Sequence, residues 1–228
     1  MINVDKILGQ ILNAGQNLSQ GQTLAGGLLV GGLAGAMTGK TGKKIASTAL
    51  QLGGAAAVAG LAYTAYQRYR AGQGLPGAAS PTTVAQRSDE VVDITPVRDT
   101  AFLPPPSDTA ATEALSLKLI RAMVGAAKAD GQIDNTETDK IFGQIDAFGL
   151  NHEERAFLLA EINKPLTAGQ IAGSARNPEE AAEIYAVSVM AVNPHGLAER
   201  LYLGDLARLL KLEPALAKDI HDRIMVPA

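Results

Sequence analysis

The side chains best suited to chemistry lie in a short acidic turn of the C-terminal half. Asp130, Asp134 and Glu137 follow one another within the run ADGQIDNTE. Carboxylate oxygens are the ligands that hard divalent cations such as calcium, magnesium and manganese prefer. The turn therefore predicts a weak divalent-cation site.

A structural role is the alternative for the same turn. The run 126–137 matches the second half of a calcium-binding EF-hand loop, but Ala126 and Lys128 stand where the first oxygen ligands are required. Asp134 and Glu137 also have the spacing of a capping box, which starts a helix without any metal. The sequence favours this capping role and leaves cation binding as the alternative.

The other reactive side chains do not form a catalytic arrangement. The histidines share no spacing typical of zinc ligands, and the two serines within the predicted helices have no neighbouring base; these residues are His152, His195, His221, Ser116 and Ser188. The chain has no cysteine, which excludes disulfides and thiolate metal sites. We therefore expect a protein that is not an enzyme.

Charge divides the chain into a basic head and an acidic tail. Residues 1–70 carry a formal charge of +5, residues 71–108 of −3 and residues 109–228 of −5. A basic, apolar head suits an anionic lipid surface. An acidic tail makes nucleic acid an improbable partner, because phosphate binding needs a basic field.

Four glycines recur at every fourth position of the head, and no charged residue lies between Lys6 and Lys40. The four are Gly27, Gly31, Gly35 and Gly39. Small residues at this spacing let helices approach closely in lipid. The pattern predicts a glycine-zipper membrane helix or hairpin over residues 23–70, preceded by an amphipathic segment over 1–22, and a homo-oligomer formed through the glycine stripe.

Three arrangements of the head remain open. The first is a helical hairpin of Leu24–Met37 and Ile45–Gln67, and the second is a single span over 45–67. The tyrosines near its end would then act as interfacial anchors; they are Tyr63, Tyr66 and Tyr69. The third arrangement is a soluble Gly/Ala tract, which the cost of glycine in an exposed helix disfavours.

A Pro-rich stretch over 71–108 predicts a flexible, disordered linker. Its few apolar residues, among them Phe102, are expected to be solvated, with docking on a partner or on the C-terminal domain as the alternative. Residues 109–228 predict an all-α bundle of about seven helices, with helix starts marked by Asn151 and by Asn177 before Pro178.

Two stretches of the C-terminal half resemble the TerB-like superfamily of tellurite-resistance proteins. The first reads AMVGAAKADGQIDNTETDKI and is followed by FGLNHEERAFL. The second reads EIYAVSVMAV and continues, after a turn, with LAERLYLGDLARLLKLEPALAKDI. With the Gly/Ala-rich head and the Pro-rich linker, the chain is similar to the membrane-tethered YebE-like branch of inner-membrane proteins in Gram-negative bacteria.

The resemblance implies an all-α bundle of about seven helices in which acidic residues hold a metal ion. Asp130, Asp134 and Glu137 match the first acidic turn. In the second turn, residues 193–196 read NPHG where the branch has aspartates, so Glu199 is the matching acid there.

The residues and the resemblance together predict a membrane-anchored, non-enzymatic interaction module in the bacterial inner membrane. Its expected partners are the lipid bilayer, a second copy of the chain and a protein that the sequence does not identify. The side of the membrane that holds the C-terminal domain stays open. A link to envelope or metal stress follows from the resemblance alone. The alternative function is a divalent-cation sensor or binding protein that uses the turn from Asp130 to Glu137.

Overall fold

A computed structural model of the chain describes residues 2–17, 53–72, 97, 100–129, 150–192 and 197–225. Within these ranges the protein is all-α, with eight helices and no strand, which confirms the predicted fold class. The helices are α1 (Val4–Asn17), α2 (Gly54–Gly72), α3 (Thr109–Ala127), α4 (His152–Ile162), α5 (Ala168–Ala172), α6 (Pro178–Ala191), α7 (Leu197–Leu209) and α8 (Pro214–Met225).

Polar caps set the starts of α4 and α6, as the sequence predicts. The Asn151 side chain accepts a hydrogen bond from the Glu154 N–H, and the Glu154 carboxylate accepts one from the Asn151 N–H. α6 begins at Pro178, and the Asn177 side chain accepts a hydrogen bond from the Glu180 N–H at 2.7 Å. These caps satisfy N–H groups that have no partner inside the helix.

α6 is the centre of the core. Every residue from Glu180 to Ala191 is buried, and the helix packs against α2, α3 and α8. A helix that is buried on all sides needs neighbours on all sides. The helices that surround α6 therefore come from both halves of the chain.

α1 and α2 share this core, although the sequence assigns them to the head. α1 buries one apolar face, and α2 buries most of its length from Gly54 to Ala65. The buried residues of α1 are Val4, Ile7, Leu8, Ile11 and Leu12. Helix faces made of small and apolar residues pack against protein as well as against lipid, so composition alone does not separate the two environments. The packing thus joins segments that the expected boundaries at 23–70 and 109–228 keep apart.

The start of α2 is held by a side chain from α1. Asp5 accepts a hydrogen bond from the Ala55 N–H at 2.8 Å and another from the Ser116 hydroxyl at 3.0 Å. Gly53 has a φ of 97°, and a Cβ there would lie 2.1 Å from the Asp5 carboxylate. Glycine is required because only it adopts this backbone and leaves room for the carboxylate. Asp5 therefore caps a helix that begins some fifty residues later in the chain.

Phe102 packs on α2 as part of the segment 100–108, which lies within the expected linker. Its side chain is 3% exposed, and its ring lies 5.6 Å from that of Tyr63 and 5.5 Å from that of Tyr66, in edge-to-face geometry. The side chain is thus buried rather than solvated, and the rings that it contacts belong to α2, not to a partner or to the C-terminal domain that the sequence offers as the alternative. The same contacts occupy two of the tyrosines that were expected to anchor a membrane span.

Within the ranges that the structure covers, no helix is both long enough and apolar enough to cross a bilayer. The span expected over 45–67 overlaps α2, which begins only at Gly54 and is buried against protein. The glycine stripe of Gly27, Gly31, Gly35 and Gly39 lies outside the described residues.

Candidate functional site

The predicted cation site stays a prediction. Asp130, Asp134 and Glu137 lie outside the described residues, and Glu199 is half-buried in the first turn of α7. In the part of the chain that the structure describes, no group of three or more acidic or histidine side chains could hold a metal ion.

The two helix serines serve structural hydrogen bonds. The buried Ser116 hydroxyl donates to Asp5, and the buried Ser188 hydroxyl donates to the Ile184 carbonyl oxygen at 2.8 Å. His152 is exposed at the first position of α4, and His221 is half-buried in α8. No serine–histidine pair therefore arises from these four residues.

Three buried or nearly buried glutamates pair with cations from other helices. Glu180 of α6 accepts from Lys118 of α3 at 2.7 Å. The other two pairs join Glu161 to Arg121 and Glu154 to Lys6, each at 2.8 Å. The partners lie 40 to 148 residues apart in sequence. Sequence reasoning missed these pairs because no local spacing links them.

The pairing decides the charge state of two of these glutamates. Hydrogen bonds from Lys6 and from the Asn151 N–H hold the pKa of Glu154 below its ordinary value. Burial raises the pKa of Glu161, but Arg121 and the neighbouring Lys164 outweigh it, so this pKa is also lowered. Both carboxylates therefore stay ionised near neutral pH, as structural ion pairs do.

Glu183 of α6 behaves in the opposite way. It is fully buried, and neither carboxyl oxygen has a hydrogen-bond partner in the described part of the chain. Burial raises its pKa well above the ordinary value, the nearby Glu180 raises it further, and Lys118 only partly offsets the two. The sequence gives no signal for this residue, because the burial of a glutamate depends on which helices surround α6.

A small cleft opens beside the Lys118–Glu180 pair. It lies between residues 100–105, the α3 side chains of Ala111 and Leu115, and the start of α6, with a volume of about 180 Å³. Typical ligand pockets have volumes of about 300–1,000 Å³. The cleft is thus smaller than most substrate sites, and two of its charged side chains, Lys118 and Glu180, are paired with each other.

The exposed face of α7 carries two large apolar side chains. Leu197 and Leu201 are 65% and 66% exposed, and they stand out among the described residues in this respect. They lie one helical turn apart on the same face, so their side chains are neighbours. We call this pair the α7 surface. It is the strongest candidate for a binding site in the described part of the chain.

The described residues of the protein form an all-α helical bundle. They contain no cluster of side chains that could hold a metal ion. The chain belongs to the family described as "Protein of unknown function (DUF533)", whose model matches residues 23–224. This family is TerB-like, which confirms the superfamily resemblance.

A relative from Yersinia enterocolitica, "Uncharacterized protein in ampR 5'region", is 30% identical over 107 residues. The matched region covers 47% of this chain and 74% of the relative. No solved structure matches the chain.

Proposed function

We propose that the chain is a non-enzymatic interaction module that works at a membrane surface and binds another protein through the α7 surface. The observation that carries the proposal is the exposure of Leu197 and Leu201. Burying a leucine side chain contributes about 1.5–3 kcal/mol. Two adjacent leucines therefore supply a useful share of the free energy of binding to a partner's apolar groove.

The surroundings of the α7 surface fit a protein contact. Arg200 and the Asp205–Arg208 pair flank the two leucines with exposed charge. An apolar centre with a polar rim is the usual anatomy of a protein–protein interface. Recognition by a helix that places spaced apolar side chains in a groove is a common mode.

The absence of an enzymatic role is supported by how the described polar groups are used. The hydroxyls of Ser116 and Ser188 serve helix packing, and Lys118 serves an ion pair. A catalytic acid or base must lie within hydrogen-bond reach of the substrate. These three side chains instead form their hydrogen bonds with other groups of the protein.

The membrane part of the proposal rests on the sequence of the head. Residues 18–52 contain three lysines and no acid, and the run from Lys6 to Lys40 is free of charge between its ends. A basic, apolar segment favours an anionic bilayer. The resemblance to the YebE-like branch supports the bacterial inner membrane as that bilayer. Self-association through the glycine stripe and a role in envelope stress are part of the same proposal.

Photo-crosslinking in intact cells tests the α7 surface. We expect a photoreactive amino acid at position 201 of the full chain to give a discrete adduct, because this side chain faces the partner. The matched control is position 218, a lysine that is also exposed but lies on α8. Leu197→Arg should abolish the adduct at 201 without changing thermal unfolding, since Leu197 is mostly exposed. Equal adducts at both positions, or an adduct that survives Leu197→Arg, would refute the proposal.

A further inference from the structure

The exposed face of α7 has the spacing of a coiled-coil seam. Leu197, Leu201, Gly204 and Arg208 follow one another at intervals of four, three and four positions. This alternation keeps side chains on one stripe of a helix, where a second helix can pack along them. The two leucines are mostly exposed, and a Cβ at Gly204 meets no atom within 4 Å. We call these four positions the α7 seam.

The other face of α7 is the one that packs on the bundle. Leu203 and Leu206 are buried there, and the helix contacts α3, α5 and α6. In a helix of 3.6 residues per turn, these two leucines lie on the side opposite the seam. The seam is therefore directed away from the core and is open to a helix of another molecule.

Opposite charges flank the α7 seam, one along each edge. The helical periodicity places Arg200 on one edge and Asp205 on the other, and both side chains are exposed. Flanking positions of this kind face each other across the seam when two copies of one helix pair in parallel. Arg200 of each copy then meets Asp205 of the other, so that a parallel pair gains two attractive contacts.

An antiparallel pair of the same helices has the opposite electrostatics. Its two-fold axis would place both copies of Arg200 on one side of the seam and both copies of Asp205 on the other. Like charges at this distance repel each other. The charges of α7 therefore select the parallel orientation.

Asp205 can accept a hydrogen bond from a second copy and keep the partner that it has. Arg208 donates to its Oδ1 atom through Nε at 3.2 Å and through Nη2 at 2.5 Å. Neither bond uses Oδ2, and the Asp205 side chain is 50% exposed. A carboxylate accepts at both oxygens. The same ion pair offsets the charge of Arg208 at the end of the seam, which limits repulsion between its two copies.

We propose that the partner of the α7 surface is a second copy of this chain, bound by parallel pairing of the two α7 helices. This inference rests on the proposed function and names the partner of that surface. Leu197 and Leu201 each pack against the same residue of the second copy, as an isologous two-fold interface requires. The leucines provide most of the affinity, because exposed ion pairs contribute little, and the charges set the orientation.

Disulfide trapping tests the pairing in the full chain, because the parent contains no cysteine. Equivalent residues of a parallel seam lie opposite each other, so Leu197→Cys and Leu201→Cys should each join two copies under mild oxidation in membranes. Lys218→Cys is the matched control, since this lysine is exposed on α8 and should give no dimer. No dimer with Leu197→Cys would overturn the parallel pairing, and an equal yield with Lys218→Cys would do the same.

Exchange of the flanking charges tests what sets the orientation. Arg200→Asp and Asp205→Arg each place like charges across the seam, so each should lower the disulfide yield of the Leu197→Cys chain by at least about fivefold. The chain that carries both changes regains opposite charges and should recover the yield. Lys218→Asp reverses a charge away from the seam and should leave the yield unchanged. Single variants with the full yield, or a double variant that stays low, would contradict the paired charges.

Photo-crosslinking at position 201 separates this inference from the proposed function. Two copies of the full chain with different tags are produced in the same cells, and we expect an adduct that carries both tags. An adduct between one tagged copy and a different protein would overturn the second copy as partner and leave the proposed function standing. If no adduct forms at all, the proposed function fails and this inference fails with it.

Discussion

Glu183 shows how strongly the surroundings of one residue decide its chemistry. Glu180 lies one turn away on the same helix and stays paired with Lys118, whereas Glu183 is fully buried without a partner in the described part of the chain. An ionised carboxylate without a partner is costly in an apolar interior, so the group takes up a proton instead. Two acids on α6 thus have different surroundings, one with a lysine partner and one with none among the described residues.

The raised pKa of Glu183 links folding to pH. In the unfolded chain this carboxyl has an ordinary pKa of 4.5, whereas burial holds the folded pKa well above it. The folded state therefore retains a proton that the unfolded state loses. The stabilising contribution is complete below pH 4.5 and declines as pH rises towards the folded pKa.

Glu183→Gln should flatten this pH dependence, because a neutral amide has no proton to release. The stability of the variant relative to the parent should therefore increase as the pH rises above 4.5 towards the folded pKa of Glu183. Denaturant unfolding of the full chain at several pH values measures this difference. Glu213→Gln makes the same chemical change at an exposed side chain and is the matched control. Parallel curves for Glu183→Gln and the parent would contradict a protonated Glu183.

At the scale of elements, close approach between helices depends on particular glycines. Gly125 of α3 faces α5 and α7, and a Cβ there would lie 2.2 Å from the Ile171 side chain and 3.1 Å from the Tyr202 hydroxyl oxygen. Burial raises the pKa of that Tyr202 hydroxyl. Gly204 of α7 is the opposite case, because a Cβ at this position meets no atom within 4 Å.

The two glycines should respond to alanine in opposite directions. Gly125→Ala is expected to destabilise the fold by about 1–3 kcal/mol, because Ile171 and Tyr202 must move to admit the methyl group. Gly204→Ala should stabilise it by about 0.5–1 kcal/mol, because alanine is the better helix former at an open position. Thermal and denaturant unfolding measure both effects. A Gly125→Ala variant that gains as much stability as Gly204→Ala would show that α5 and α7 do not pack on α3 as described.

At the scale of the whole molecule, the core is built from both ends of the chain. α6 packs against α2 as well as against α3 and α8, and Asp5 of α1 caps α2. The sequence predicts instead that residues 109–228 fold by themselves. Without α1 and α2, the apolar residues of α6 that face α2, and those of α3 that face α1, would be exposed to water, which opposes folding.

The fragment 109–228 should therefore be much less stable than the full chain. We expect a loss of cooperative thermal unfolding, measured by circular dichroism, or a midpoint lowered by more than about 15 °C, given that 1 kcal/mol shifts the midpoint of such a domain by roughly 2–8 °C. A variant in which a flexible Gly/Ser linker replaces residues 18–52 keeps both helices and is the control. It should unfold near the temperature of the parent. A fragment as stable as this control would support the boundary at 109 that the sequence predicts.

The sequence by itself determined the all-α class and the starts of α4 and α6. These features depend on local information, since a cap and its helix lie within a few residues of each other. The superfamily resemblance was also readable, because it rests on runs of residues in the acidic C-terminal half.

Only the tertiary structure decided what surrounds each helix. It packed the first half of α2 against protein and placed Phe102 on Tyr63 and Tyr66 of that helix. It also buried Glu183 with no hydrogen-bond partner among the described residues. The apolar residues of α2 suit a lipid or a protein environment equally. The hydrophobic effect removes apolar surface from water but does not select what covers it. The pairs that settle the matter, such as Asp5 with Ala55 and Lys6 with Glu154, join residues far apart in the chain and become visible only when it is folded.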